Sequence, residues 1–86
     1  MIVRIPSPLR SYTAHESQVE IEGSSVAALL ANLDRHYPGI RFRMIDEQDH
    51  IRQHIRIFVN SQPVSELSTS LKATDVVQII CALSGG

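Results

Sequence analysis

The 86-residue sequence predicts an α+β fold, a mixed sheet of four to five strands with one main helix across one face. Three observations predict it. Short runs near both ends of the chain alternate or cluster apolar residues in the manner of half-buried strands. Between them Val26, Leu29, Leu30, Leu33 and Tyr37 recur at intervals of three and four, which sets them on one face of a helix. The chain is also short: at this size roughly 60–65% of the unfolded surface can be buried, enough for one modest core.

The elements follow in order. Ile2 to Ile5 reads as a strand closed by Pro6 and Pro8, which cannot donate ladder hydrogen bonds. Gln18-Val19-Glu20-Ile21-Glu22 alternates cleanly and predicts a second strand with Val19 and Ile21 inward, the intervening residues supplying a hairpin turn. Gly23-Ser24-Ser25 then opens the helix, with Ser24 or Ser25 as N-cap. Pro38-Gly39 closes it, because a residue before proline avoids helical geometry and glycine tolerates the exit. In residues 40–54, Ile40, Phe42 and Met44 alternate with Arg41 and Arg43 before a charged stretch, and so long a connection predicts a short helical turn or a functional loop. Ile55 to Val59 is the next strand, Asn60-Ser61-Gln62-Pro63 a turn, and Leu67 and Leu71 cover the core from a loop. Val76 to Leu83 forms the last strand. Burying each apolar face once, with the first and last strands central, gives the arrangement known as the β-grasp. Residues 1–82 are expected to form that domain and residues 83–86 a flexible tail.

Composition excludes several function classes. A net charge of −1, with seven arginines and one lysine scattered along the chain, provides no field for nucleic acid or anionic membrane. No apolar stretch approaches bilayer-spanning length, and the first residues lack the pattern of a signal peptide. Cys81 is the single cysteine, so an intrachain disulfide framework and a cysteine zinc site are excluded, and a reducing, cytoplasmic setting is expected. A monomer is the expected free state.

The most informative feature is the end of the sequence given, Ser84-Gly85-Gly86, which follows the last strand at once. Lacking Cβ, two glycines make a narrow segment with an unhindered terminal carbonyl, suited to threading another protein's active site. Together with Thr74-Asp75-Val76-Val77-Gln78-Ile79 and Val59-Asn60-Ser61-Gln62-Pro63-Val64, this ending resembles the ubiquitin-like sulfur carriers of the thiamine and molybdopterin type. Ile5-Pro6, Leu9-Arg10, Tyr37-Pro38-Gly39-Ile40, Arg43-Met44 and Ile57-Phe58-Val59-Asn60 are similar to the subgroup that delivers sulfur for cysteine synthesis. Cys81-Ala82 departs from the Pro-Pro that many members carry there, which sets the chain apart from the molybdopterin branch.

The resemblance implies a mechanism. A ubiquitin-activating-type adenylyltransferase would use ATP and magnesium to convert the Gly86 carboxylate to an acyl-adenylate. Sulfide or a persulfide would then displace the adenylate, leaving a thiocarboxylate that a sulfur-accepting synthase consumes. A processing metalloprotease belongs to the same scheme wherever residues follow Gly86. The chain itself would be a co-substrate with no catalytic residue, no bound cofactor and no metal. Gly86 would react, Ser84 and Gly85 would give clearance, and Leu83 would anchor the tail outside the tunnel. The parity of the last strand turns Val77, Ile79 and Cys81 inward and Val76 and Ile80 outward, so Val76 and Ile80 are the candidate partner contacts.

Other residues suggest competing chemistry. His50 and His54 are spaced for a metal if they share a helix, with Asp46 and Asp49 nearby, but His54 abuts a predicted strand, no third strong ligand sits at a fixed offset, and a solvated polar loop is the default. Arg41, Arg43, Arg52 and Arg56 suggest a basic face for an acidic partner. Cys81 reads as a core cysteine rather than a nucleophile. Two further readings stay open: a protein modifier joined through Gly86 to lysines, and a β-grasp interaction module whose tail does not react.

Overall fold

In the computed structural model, residues 1–82 are described; the readings on Leu83, Ser84, Gly85 and Gly86 lie outside the described residues. The strands are β1 (Ile2–Arg4), β2 (Gln18–Glu20), β3 (Ile55–Val59), β4 (Gln62–Val64) and β5 (Val76–Cys81), and the α-helices are α1 (Val26–His36) and α2 (Ile40–Met44). The strands form one sheet in the order β2-β1-β5-β3-β4. β1 and β5 pair in parallel, and every other pair is antiparallel. The two end strands of the domain therefore lie side by side in the middle, and α1 crosses the face they share.

The helix is where the periodicity predicts it. Val26, Leu29, Leu30 and Leu33 are almost wholly buried and pack with Val3, Ile5, Val19, Ile21, Ile55, Ile57, Val77 and Ile79. Each such side chain contributes about 1.5–3 kcal/mol on leaving water, far more than helix propensity supplies. Of the two candidate caps, Ser25 serves: its hydroxyl accepts from the Ala28 N–H at 3.1 Å. The next free donors, the N–H groups of Val26 and Ala27, reach the carbonyls of Thr69 and Leu67 at 3.0 and 2.8 Å. The 67–71 loop thus closes the helix start, which buries Leu71 and half-buries Leu67. Gly23 lets its own segment pass close to the helix backbone, because a Cβ there would stand 2.5 Å from the Leu29 nitrogen.

Three local expectations need correction, and a fourth is made specific. The segment after β1 is more than a turn: Ser7–Thr13 forms a 3-10 helix that buries Leu9 and Thr13. The Thr13 hydroxyl is satisfied there, donating to the Glu16 carbonyl at 2.8 Å. β2 stops at Glu20, although Ile21 remains buried. The short helical turn expected in residues 40–54 is α2, in which Ile40 and Met44, four apart, are buried while Phe42 faces out. Asp34 imposes this by accepting the Gly39 and Arg41 N–H groups at 3.0 and 3.1 Å on one carboxylate oxygen. Finally, the turn after β3 is only Asn60-Ser61, with φ of 50° and 72°, the two-residue geometry that matches strand twist. Gln62 and Pro63 enter edge strand β4, where proline is tolerated.

Asn60 also clasps the start of β5. Its backbone N–H donates to the Val76 carbonyl at 2.9 Å, its side-chain oxygen accepts the Val76 N–H at 2.9 Å, and its amide donates to Asp75 at 2.8 Å. The other Asp75 oxygen accepts the Lys72 N–H at 2.8 Å. These bonds, the one from Lys72 first and that from Asn60 next, hold the Asp75 carboxyl below its ordinary value.

Two stability measurements follow. Gly23→Ala forces backbone movement where the Cβ would meet Leu29, and should lower the unfolding free energy by about 1–3 kcal/mol in urea titrations. A carboxyl depressed in the folded state stabilises above its unfolded pKa, and that contribution is lost as pH falls through the folded value. Wild-type protein should therefore lose stability below about pH 4, starting near the ordinary Asp value of 3.8, more steeply than Asp75→Asn. Parallel loss in both proteins would show that Asp75 is not among the responsible groups.

Candidate functional site

β5 alternates faces as its sequence parity predicts. Val77 and Ile79 are 0% and 2% exposed and point into the core, whereas Val76 is half-buried and Ile80 is 37% exposed on the other side. The register places Ile80 opposite Arg56, Gln78 between Arg4 and Phe58, and Val76 beside Ile2. The uncovered sheet face is therefore a mixed surface in which Ile80, Phe58 and Ile2 alternate with arginines.

Two concavities flank the end of β5. One lies on the β1 side and includes Arg4, Arg10, Pro6, Gln78 and Ile80. The other, about 400 Å³, lies toward α2 and includes Phe42, Arg43, Arg52, His54, Cys81 and Ala82. Neither is lined by a carboxylate among the described residues. A larger groove of about 970 Å³ runs between β4 and the 49–53 and 65–68 segments, and it contains Asp49 and Glu66 as well as arginines. Although the whole chain carries a net charge of −1, the exit of β5 is locally basic.

Of the four arginines considered as a basic face, Arg41, Arg52 and Arg56 line the larger groove together with Asp49 and Glu66, and Arg43 does not. Arg41 pairs with Asp49 at 3.3 Å. Arg43 lies 6.0 Å from the Tyr12 ring centroid. Arg52 stacks 4.6 Å from the Phe42 ring centroid and donates its Nε to the Phe42 carbonyl at 2.8 Å. Arg56 folds back on its own strand, donating to the Gln53 and Ile55 carbonyls. Only Arg43 and Arg52 share the notch beside Ala82.

His50 and His54 lie in loop and turn rather than on one helix, so the helical argument for a metal does not apply. Among the described residues no cluster of three metal-ligating side chains occurs. Asp46 has a structural role, since its carboxylate accepts the Gln48 and His50 N–H groups at 2.9 Å each. The His50 bond is the main cause that lowers its pKa. Cys81 is half-buried at the rim of the core rather than enclosed, and burial pushes its thiol up, which suppresses the nucleophilic thiolate.

Of the candidate site residues, the structure places Val76 and Ile80 on one face; Leu83, Ser84, Gly85 and Gly86 lie outside the described residues. Sequence reasoning passed over Phe42, at 56% the most exposed large apolar side chain among the described residues, along with Phe58 and Arg4. Phe58 and Arg4 were legible from strand parity. Phe42 required recognising Asp34 as the cap of a second helix.

Comparison with known proteins agrees with this architecture. The model of the ThiS family matches residues 3–86. The sulfur carrier protein CysO of Mycobacterium tuberculosis is 32% identical over 89 residues, covering 98% of this chain and 96% of that protein. A chain from the crystal structure of the Amycolatopsis orientalis BexX/CysO complex superposes with a TM-score of 0.92 at 30% identity, covering 99% and 98% of the two chains. The small archaeal modifier protein SAMP1 of Haloferax volcanii, at 20% identity and a TM-score of 0.79 over 100% and 98% of the chains, shares the fold. The chain belongs to the ThiS family.

Proposed function

We propose that this protein is a sulfur carrier whose Gly86 carboxylate is activated by an ATP-dependent adenylyltransferase. The observation that carries this reading is the Gly85-Gly86 ending joined within four residues to the central strand of a ThiS-family domain. In this scheme a Gly86 carboxylate oxygen attacks the α-phosphate of ATP, forming an acyl-adenylate and releasing pyrophosphate. Hydrosulfide then adds to the acyl carbon, AMP departs and a thiocarboxylate remains. The acceptor is a synthase of cysteine or of another sulfur-containing metabolite, and cytoplasmic thiol-reducing conditions suit such a product. The chain acts as co-substrate: ATP and magnesium belong to its partner. The activating enzyme, the sulfur-accepting synthase and, where needed, a processing metalloprotease are its proposed partners.

Docking would use the open sheet face, with Ile80 and Val76 as apolar contacts and Leu83 continuing toward the tail. Arg56 and Arg4 beside them favour a partner surface with carboxylates at its rim. Cys81 does not serve as an internal acceptor in this proposal, because its thiolate is suppressed and it sits at the core rim.

Intact and fragment mass spectrometry of protein from the native host, alkylated at neutral pH, should find sulfur in place of oxygen at Gly86 and the alkyl group there in preference to Cys81. An unmodified carboxylate after incubation with the activating enzyme, ATP and sulfide would overturn the carrier reading; conjugates on lysines would establish the modifier instead. Separately, Ile80→Asp should leave unfolding within about 0.5 kcal/mol of wild type, as exposed positions do. The same variant should lose adenylation, measured by pyrophosphate release. Wild-type adenylation by the folded variant would remove Ile80 from the docking surface.

A further inference from the structure

The concavity on the β1 side of β5 contains an arginine whose side chain is divided between two tasks. Arg10 is half-buried, and its Nε donates to the Ile5 carbonyl at 3.0 Å, one residue past the end of β1. That bond satisfies a backbone acceptor and fixes the direction of the guanidinium. The two terminal nitrogens make no hydrogen bond among the described residues. Arg10 lines a concavity of about 520 Å³ together with Arg4, Ser17, Gln78 and Ile80, and no described acidic residue lines it.

On β2 and its approach, Glu16 precedes Ser17 and Glu20 faces Ile2. Both are exposed, and neither forms an ion pair with Arg4 or Arg10 among the described residues. Glu20 stands diagonal to Arg4 on the open face, which gives Arg4 a competing acid. Arg10, tied down through its Nε, is the better defined cation of the two.

Ile80, the exposed apolar residue of β5, lines the same concavity. A protein surface that buries Ile80 therefore also takes water from the Arg10 fork. Removing a charge from water without a partner is costly, so a surface that docks here must bring an acid. A planar fork of fixed direction engages a carboxylate through two parallel bonds. A small anion would leave Ile80 uncovered, whereas an acidic side chain on a docked protein satisfies both residues at once.

We propose that Arg10 is the polar anchor of the docking surface, its terminal nitrogens engaging an aspartate or glutamate side chain of the activating enzyme. This rests on the carrier reading and names the group by which the partner is held. Arg10 touches the partner and not the reacting atoms, so it acts on binding rather than on chemistry.

Arg10→Gln separates the two tasks. Glutamine carries its amide nitrogen at the position of the arginine Nε, so it keeps a donor for the Ile5 carbonyl while losing the fork and the charge. Its urea unfolding should follow the wild-type curve. In pyrophosphate-release assays with the activating enzyme, its KM as co-substrate should rise about tenfold or more, the loss expected of a charged hydrogen-bonded pair. Its kcat should stay within about twofold of wild type. The KM ratio should fall toward one in about 1 M sodium chloride, where the screening length is about 3 Å. Arg35→Gln removes the same charge from the exposed surface of α1 and should leave KM unchanged. Arg10→Lys, which retains a point charge and no fork, should give an intermediate KM, and a fully wild-type KM would overturn the two-bond engagement. A wild-type KM in Arg10→Gln would overturn the proposal and leave the carrier reading intact. Equal KM increases in Arg10→Gln and Arg35→Gln would overturn it as well, by making net charge the cause. Absence of pyrophosphate release with wild-type protein would overturn the carrier reading itself, and the proposal with it.

Discussion

The parallel pairing of β1 with β5 is the constraint on which the rest of this structure depends. Ile2 faces Val76, Val3 faces Val77 and Arg4 faces Gln78, so residues more than seventy positions apart become neighbours. A parallel pair cannot be closed by a tight turn and needs a crossover. Here the crossover carries α1, whose buried stripe covers the face that the two strands present. Val3 of β1 with Val77 and Ile79 of β5 is then enclosed by the same event, which is how a chain of 86 residues obtains a continuous core.

The same pairing decides where the chain can act. With β5 central, its end emerges beside β3 just past the end of its pairing with β1, instead of at the margin of the sheet. The Asn60–Asp75 clasp sets the start of β5, because Asn60 engages both the N–H and the carbonyl of Val76. Since strand side chains alternate with a period of two, fixing Val76 fixes the exposed position of Ile80 and the rim position of Cys81. A clasp at one end of the strand thus governs the chemistry displayed at the other.

Charge follows tertiary structure rather than composition. The overall charge is close to neutral, yet Arg4, Arg10, Arg43 and Arg52 collect around the exit of β5 while Asp34, Asp46 and Asp75 are engaged by backbone N–H groups. Those carboxylates stabilise turns and caps, and neither concavity beside the strand end is lined by an acid among the described residues. The surface around the end of β5 gains its electrostatic character from this division.

What the chain alone specified was the periodic part: the helix from Val26, its serine cap and its Pro38-Gly39 stop, the parity of β5, and the Gly-Gly ending with its family resemblance. These depend on neighbours within a few residues, and local spacing records them faithfully. Tertiary structure alone decided that the helical turn spans Ile40–Met44, that Phe42 stands exposed beside Arg52, and that Arg41, Arg52 and Arg56 line one groove that Arg43 does not. Each of those outcomes rests on a partner remote in sequence or on a cap such as Asp34, which reaches five and seven residues ahead. Periodicity has no means of recording such contacts, because the free energy that selects them arises only when the elements meet.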